Sequence, residues 1–365
     1  MLKPNPKPSD LFSSFRSRPF TRSVKGAFVP LCLVLVPSCL RAFVPSCLVF
    51  VASCLVFVAS CLVFVPSSSA QSPAIGIAPT QLTSAESLQA VIDRGGPLVF
   101  VPRGNYILTE TLNLRSDLVL HFASGTTVEA AEGAFQDPRD CLIAARLTRD
   151  VELHAAGVVF RMRKADYRNK EKYADSEFRH ALGLFGVRNF KVYGGVFADS
   201  GGDGIYVGPF VAGTTRTQSE AVLIRGVYCD NNVRQGISVL SAKRTGPEDF
   251  GLVIEDCRLA GTSGRSPQSG IDIEPEVGDV VDVLVRRCRS ESNRGPAYMW
   301  SLQHVRPADS PPRIVFEQCT YSGVPPDQPA FRMTGVYSST APTGYLEANL
   351  PKGTWLQWDS LILQK

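Results

Sequence analysis

The chain has 365 residues, a formal charge of +4 and a hydrophobic content of 44%. That apolar share excludes a disordered chain and is enough for a large core. Residues 1–70 hold seven Lys/Arg against one acid, Asp10, so removing their +6 leaves residues 71–365 at −2. The positive charge belongs to the leader, and a clustered-cation surface for nucleic acid is excluded for the body.

The leader comes first. Residues 1–26 are basic and rich in Pro and Ser, and residues 27–66 are almost wholly apolar. Inside the apolar part SCLVFVA occurs at 46–52 and 53–59, with SCLVFV at 60–65. No polar positions separate apolar seams, so this is not a coiled coil. A basic start, an apolar run and Ser68-Ser69-Ala70 before Gln71 predict an export signal with a small-residue cleavage site. An uncleaved anchor is the rival, because 46–65 is long enough to span a bilayer. A lipoprotein-like box, Val58-Ala59-Ser60-Cys61, is a third alternative. Each alternative places the body outside the cytoplasm: secreted, periplasmic or at the cell surface. Membrane contact is expected only through an uncleaved leader.

Next, Thr83-Ser84-Ala85-Glu86 resembles a capping box, and SAESLQAVIDRG predicts a short amphipathic helix. PLVFVPRGNYILTETLNL predicts two strands. Such a helix would cover the open edge of a first coil. The stretch 161–180, RMRKADYRNKEKYADSEFRH, is densely charged and predicts a surface loop.

From residue 192 onward a repeat sets the architecture. Ile224-Arg-Gly-Val227, Ile254-Glu-Asp-Cys257, Val285-Arg-Arg-Cys288 and Phe316-Glu-Gln-Cys319 start 30, 31 and 31 residues apart, and Val192-Tyr-Gly-Gly195 lies 32 residues before the first. Alternating apolar residues lead into each copy, which is strand periodicity. A period of this length built from short strands predicts a solenoid of stacked parallel coils. Cys257, Cys288 and Cys319 then form an inward ladder. Five cysteines lie outside the leader, and an odd count argues against a disulfide framework. A second register runs through Gly204, Gly236 and Gly270, each followed by an alternating strand. Glycine there suits a positive φ or a close backbone approach. The expected organisation is a leader at 1–70, then one domain at 71–365, with caps at about 80–115 and 323–365 around coils at about 116–322.

Arg179-His180-Ala181-Leu182, SGGDGIYVG (200–208), RQGISVLSA (234–242) and SGIDIEPE (269–276) together resemble the right-handed parallel β-helix proteins of the pectate-lyase-like superfamily, over roughly 80–330. The resemblance implies an all-β, right-handed parallel β-helix with a short N-terminal capping helix. It also implies a secreted bacterial repeat protein in a group of polysaccharide lyases, glycoside hydrolases, alginate epimerases and phage tailspikes. The adjacent Asp pair of the polygalacturonase-type hydrolases is reduced to the single Asp203. Gln235 precedes Gly236 where their His is expected, and neither Arg-Ile-Lys nor the epimerase Asp-Pro-His is present. One fold hosts many chemistries, so the site is sought in the residues.

In GIDIEPE, Ile271 and Ile273 should face the core and Asp272 and Glu274 outward. The stacked equivalents of Asp272 are Ser238 and Tyr206, with Tyr298 or Trp300 nearby on the next coil. Asp203 and Gln235 stack just before their glycines. Gly204 and Gly270 are two coils apart, roughly 9–10 Å. Asp203 and Asp272 or Glu274 are therefore candidate general acid and base, within about 6.5–9.5 Å as an inverting glycosidase needs. Tyr206, Arg234, Gln235, Ser238, Arg179, His180, Tyr298 and Trp300 are candidate substrate-binding residues, and Arg161, Arg163 and Lys164 could meet an anionic polysaccharide. No cofactor is required. Calcium is a candidate at Asp272, Glu274 and Glu276, with Asp279 and Asp282 following. The expected function is an extracellular polysaccharide hydrolase or lyase; the alternative is a non-catalytic glycan-binding protein using the same face.

Overall fold

The computed structural model describes residues 80–81, 87–247, 249–302, 304–305, 312–334, 345–348 and 356–359. The leader and the Thr83–Glu86 capping box lie outside them. The helix, here α1, runs Leu88–Arg94, and its N-cap is Ser87, whose Oγ accepts from the Ala90 N–H at 3.1 Å. Leu88, Val91 and Ile92 recur at helical spacing, and that face is buried in the core cluster. Arg115 closes the other end, donating to the carbonyls of Ile92, Gly95 and Gly96. Two of the last carbonyls of the helix region thereby gain a cation, as a helix C-terminus favours.

Behind α1 the described strands form three parallel sheets of ten, nine and eight strands, plus a separate two-stranded hairpin. Each coil gives one strand to each sheet. Arg188–Tyr193, Val196–Ala198 and Ile205–Gly208 make one coil; Glu220–Arg225, Tyr228–Asp230 and Ile237–Val239 make the next. Neighbours in every sheet follow in chain order. Crossovers between parallel strands of one sheet are right-handed in nearly all proteins, because a twisted strand packs its connection back only that way. The fold is a right-handed parallel β-helix.

The pairing register is the sequence repeat. Val192 pairs with Ile224, Ile224 with Ile254, Ile254 with Val285 and Val285 with Phe316. All five point into the core and are buried. The cysteine ladder is also present: the thiols of Cys257, Cys288 and Cys319 lie 3.5–3.7 Å from the carbonyls of Ile224, Ile254 and Val285, one coil back. Cys141, Cys229 and these three are free and buried.

The glycine column answers to crowding, not to backbone sign. A Cβ on Gly204, Gly236 or Gly270 would stand 2.5–2.7 Å from the carbonyl oxygen of the following coil, from Gly236, Gly270 and Ala297 respectively. The chain turns into the third sheet with its backbones stacked that closely.

Two boundaries differ from the sequence expectation. The segment after α1 makes three strands, Leu98–Val101, Asn105–Leu108 and Leu112–Leu114, one in each sheet. It is therefore already a full coil, with three strands where the sequence predicts two. At the other end Phe331–Thr334, Tyr345–Ala348 and Leu356–Asp359 still add to the sheets, so the coils run past 322.

Candidate functional site

The third sheet builds the site. Its turn-in positions stack as a column: the Ala181 N–H donates to Asp203 O, the Gly204 N–H to Gln235 O and the Gly236 N–H to Ser269 O. His180, Asp203, Gln235 and Ser269 thus occupy one position on successive coils. Three residues on, a second column faces outward: Tyr206 pairs with Ser238, Ser238 with Asp272 and Asp272 with Met299. The expected stacking of Tyr206, Ser238 and Asp272 is therefore present, and Met299 takes the next place.

Tyr298 and Trp300 are corrected by that register. They pair with Ile271 and Ile273, point inward and are buried. The Tyr298 hydroxyl donates to the carbonyls of Cys288 and Thr320 inside the core. Arg179 is also placed away from the groove. It donates to the carbonyls of Phe135, Gln136 and Ala174, and Tyr167 and Tyr173 lie 5.4 and 5.7 Å from its guanidinium. Burial lowers its pKa. Its work is to pin the 161–180 insertion to the coils.

The rest of that insertion divides between two places. Arg161 pairs with Asp199 and Glu129, and Arg163 with Asp166 and Glu132. Lys164 donates to Asn231 Oδ1, Asn232 O and Ser263 Oγ at 2.9–3.1 Å, and burial brings its pKa down to about 8. None of these cations reaches Asp203. The insertion's other end does. Gly201 and Gly202 admit it, since a Cβ on Gly202 would stand 2.4 Å from Glu177 O. Glu177 and Phe178 thereby form one wall of a cavity of about 280 Å³ over the third sheet.

The opposite wall is the hairpin of Phe210–Ala212 and Thr215–Thr217. Its Arg216 holds Asp279 with Nε at 2.7 Å and Nη2 at 2.5 Å, and reaches Glu276 at 3.2 Å. Hydrogen bonding to Asp279 raises the Arg216 pKa. The hairpin is so clamped to a coil two turns further on. Glu177, Phe178, Val211 and Arg216 were invisible as site residues in the sequence. Only the length of the insertion and the Ala212-Gly213 turn mark the two walls there.

On the floor stand His180, Asp203, Tyr206, Arg234 and Glu274. The Asp203 N–H donates to His180 Nδ1 at 3.2 Å, and Asp203 Oδ2 lies 3.2 Å from the same nitrogen. One ring nitrogen can serve only one of these two neighbours, accepting from the amide or donating to the carboxylate. Tyr206 stacks on this imidazole at 4.7 Å, and burial raises the Tyr206 pKa, so its hydroxyl stays protonated. Both carboxylate oxygens of Asp203 are buried; Oδ2 faces His180 Nδ1 at 3.2 Å and Arg234 Nη1 at 3.9 Å, and Oδ1 has no hydrogen-bond partner.

Arg234 is the cation of the floor. Nη2 donates to Glu274 at 3.0 Å, Nη1 lies 3.9 Å from Asp203, and Nε lies 3.4 Å from Glu177. Burial alone would lower its pKa; the carboxylates of Asp203, Asp272, Glu274 and Glu177 outweigh burial and raise it.

Asp272 lies beneath this surface and is fully buried. Gln235 donates to its Oδ2 at 2.6 Å and accepts from Ser269 Oγ at 2.6 Å, so Gln235 is a buried link. Asp272 Oδ1 and Ser238 Oγ, in adjacent places of one column, have no hydrogen-bond partner. Burial and then the charge of Glu274 push the Asp272 pKa up to about 8, against the pull of Arg234 and Gln235.

Glu274 and Glu276 face Arg234 and Arg216, and Asp282 pairs with Arg313 and Arg244 elsewhere. Among the described residues no three of His, Cys, Asp and Glu gather as a metal site.

No family model matches the chain, and no curated protein does. Solved structures do. The catalytic domain of a GH87 α-1,3-glucanase matches with a TM-score of 0.37 at 9% identity, over 77% of this chain and 57% of that one. This chain thus spans just over half of the glucanase domain. PfbA, a surface adhesin of Streptococcus pneumoniae, matches at 0.38 and 12%, over 75% and 72%. A polygalacturonase from Erwinia carotovora ssp. carotovora matches at 0.34 and 11%, over 76% and 96%. At such scores the chemistry has to be argued from the side chains of this chain alone.

Proposed function

We propose that the protein is an extracellular carbohydrate-active enzyme, a glycoside hydrolase with Asp203 opposite the Asp272–Glu274 pair. One observation carries the reading. Asp203 is a fully buried carboxylate on the floor of a walled cavity that Glu274 also lines, and its Oδ1 has no hydrogen-bond partner. Buried polar atoms are otherwise almost always satisfied, and functional sites are where exceptions gather.

Glycoside hydrolysis needs one carboxyl group that is protonated and one that is not. In this reading Glu274, which lines the cavity, meets the leaving group, and the fully buried Asp272, its pKa raised, stands two residues before it. Asp203 takes the part of base, with His180 Nδ1 3.2 Å from its Oδ2. Gln235 fixes the Asp272 carboxyl, and Arg234 stands between Glu274 at 3.0 Å and Asp203 at 3.9 Å.

A lyase acting on uronates would need free cations to neutralise the substrate carboxylate. Arg234 and Arg216 are the arginines of this cavity, and each already faces two or more carboxylates. This favours hydrolysis over elimination. The apolar leader fits export, and among the described residues no helix is long and apolar enough to cross a membrane.

The test is turnover of a broad polysaccharide panel by the full chain. New reducing ends are expected, without the ultraviolet absorbance of an unsaturated uronate product. Glycan binding with no turnover on any member would move the protein to the non-catalytic alternative.

A further inference from the structure

Five large hydrophobic residues are strongly exposed among the described ones: Ile107, Leu147, Phe178, Val211 and Val277. Phe178 and Val211 line the same cavity from its two opposite walls, and Val277 adjoins Glu276 of that lining. Phe178 is the single aromatic among the five and is 47% exposed. Its ring stands at 79° to the His180 imidazole, 6.5 Å away, and His180 is held in turn by Tyr206. The backbone is fixed as well: the Phe178 N–H donates to Ser176 Oγ at 2.9 Å, and Phe178 O accepts from the His180 N–H at 3.1 Å. An apolar ring exposed beside polar groups is a binding feature, because covering it removes apolar surface from water.

The charge of the cavity narrows the ligand. Glu177, Asp203, Glu274 and Glu276 line it against Arg216 and Arg234, and Asp279 further neutralises Arg216. A carboxylate or sulfate entering here meets an excess of like charge in a partly desolvated space. A pyranose carrying only hydroxyls meets none. Its C–H face can cover Phe178 while its hydroxyls reach the Asp203 carboxylate below.

We infer that the cavity takes a glycan free of carboxylate and sulfate groups, threaded between the insertion and the hairpin, with one sugar ring seated on Phe178. This rests on the carbohydrate-active reading of the same cavity and names its substrate class and a specificity-determining residue.

The experiment is titration of the full chain with hexasaccharides in two groups. One group holds neutral hexoses, xylose and amino sugars; the other holds galacturonate, alginate and sulfated galactan oligomers. Binding confined to the first group is expected. For the tightest ligand, Phe178→Ala should weaken affinity about tenfold and Phe178→Tyr should restore it, with unchanged melting curves for both variants. Binding confined to the acidic group, no binding of any glycan, or full affinity in Phe178→Ala would each overturn the inference. The two proposals fail separately. Tight neutral binding without turnover removes the hydrolase and leaves the subsite; turnover of an acidic polymer removes the substrate class and leaves the hydrolase.

Discussion

Arg234 and Glu274 meet at 3.0 Å although they come from neighbouring coils, one just before its strand and the other just after. The contact ties the turn-in column to the outward column and puts a cation among Asp203, Asp272 and Glu274. Replacing Arg234 by Met leaves these carboxyl groups facing one another without it. Removing one partner of a buried ion network costs about 3–5 kcal/mol. Urea unfolding of Arg234→Met should show a loss of that order, and a change below about 1 kcal/mol would mean that the network is not formed.

Asp203→Asn keeps the shape of the side chain and removes its charge. As the proposed base, it should slow turnover about 10²–10⁴-fold. Rate and melting temperature together decide the matter: a large rate loss at unchanged melting temperature assigns chemistry to Asp203, and a parallel fall of both assigns structure.

Asp272 gives a pH signature. Its folded pKa is raised to about 8, far above the carboxylate value of an unfolded chain. Between roughly pH 4 and pH 8 the folded state binds a proton that the unfolded state has released. Stability from this group is therefore fully present at the acidic end and is lost as pH rises through the folded pKa, at up to about 1.4 kcal/mol per pH unit. Asp272→Asn carries no such proton. Its denaturation midpoint, compared with wild type from pH 5 to pH 8, should gain on wild type steadily. A constant difference would show that Asp272 is ionised in the fold.

Gly236→Ala tests the crowded column. The added Cβ would stand 2.5 Å from Gly270 O and 3.2 Å from the Leu259 side chain. Overpacking of this kind costs about 1–3 kcal/mol. The shift also moves Gln235 and with it the bond that fixes Asp272, so circular-dichroism melts and turnover should fall together.

Chelation is the remaining check. With Glu274 and Glu276 facing arginines, turnover and melting temperature should be unchanged by EDTA and by added Ca²⁺. Activity that vanishes with EDTA and returns with Ca²⁺ would mean that those ion pairs open around a metal.

The sequence by itself determined the coil. Hydrophobic alternation at a period near 31 residues fixes which residues face inward, and a parallel stack admits one register for such a pattern, since a slip by one residue turns every apolar side chain outward. Val192, Ile224, Ile254, Val285 and Phe316 were thus legible as one ladder, and so were Tyr206, Ser238 and Asp272. Asp203 beside its glycine and the outward Asp272 and Glu274 followed from the same alternation. Exposure did not follow. Alternation says which side of a sheet a residue faces, not what covers that side. The insertion and the hairpin build walls there and bring Glu177 and Phe178 to the rim, while Asp272 and Gln235 are buried beneath that surface. Tyr298 and Trp300 were decided by a one-residue choice of register in the least regular copy of the repeat. Arg179 read as a free cation, yet the tertiary fold surrounds it with three carbonyls and two tyrosine rings. Local pattern settles what is periodic, and only long-range packing settles which charges are left facing a ligand.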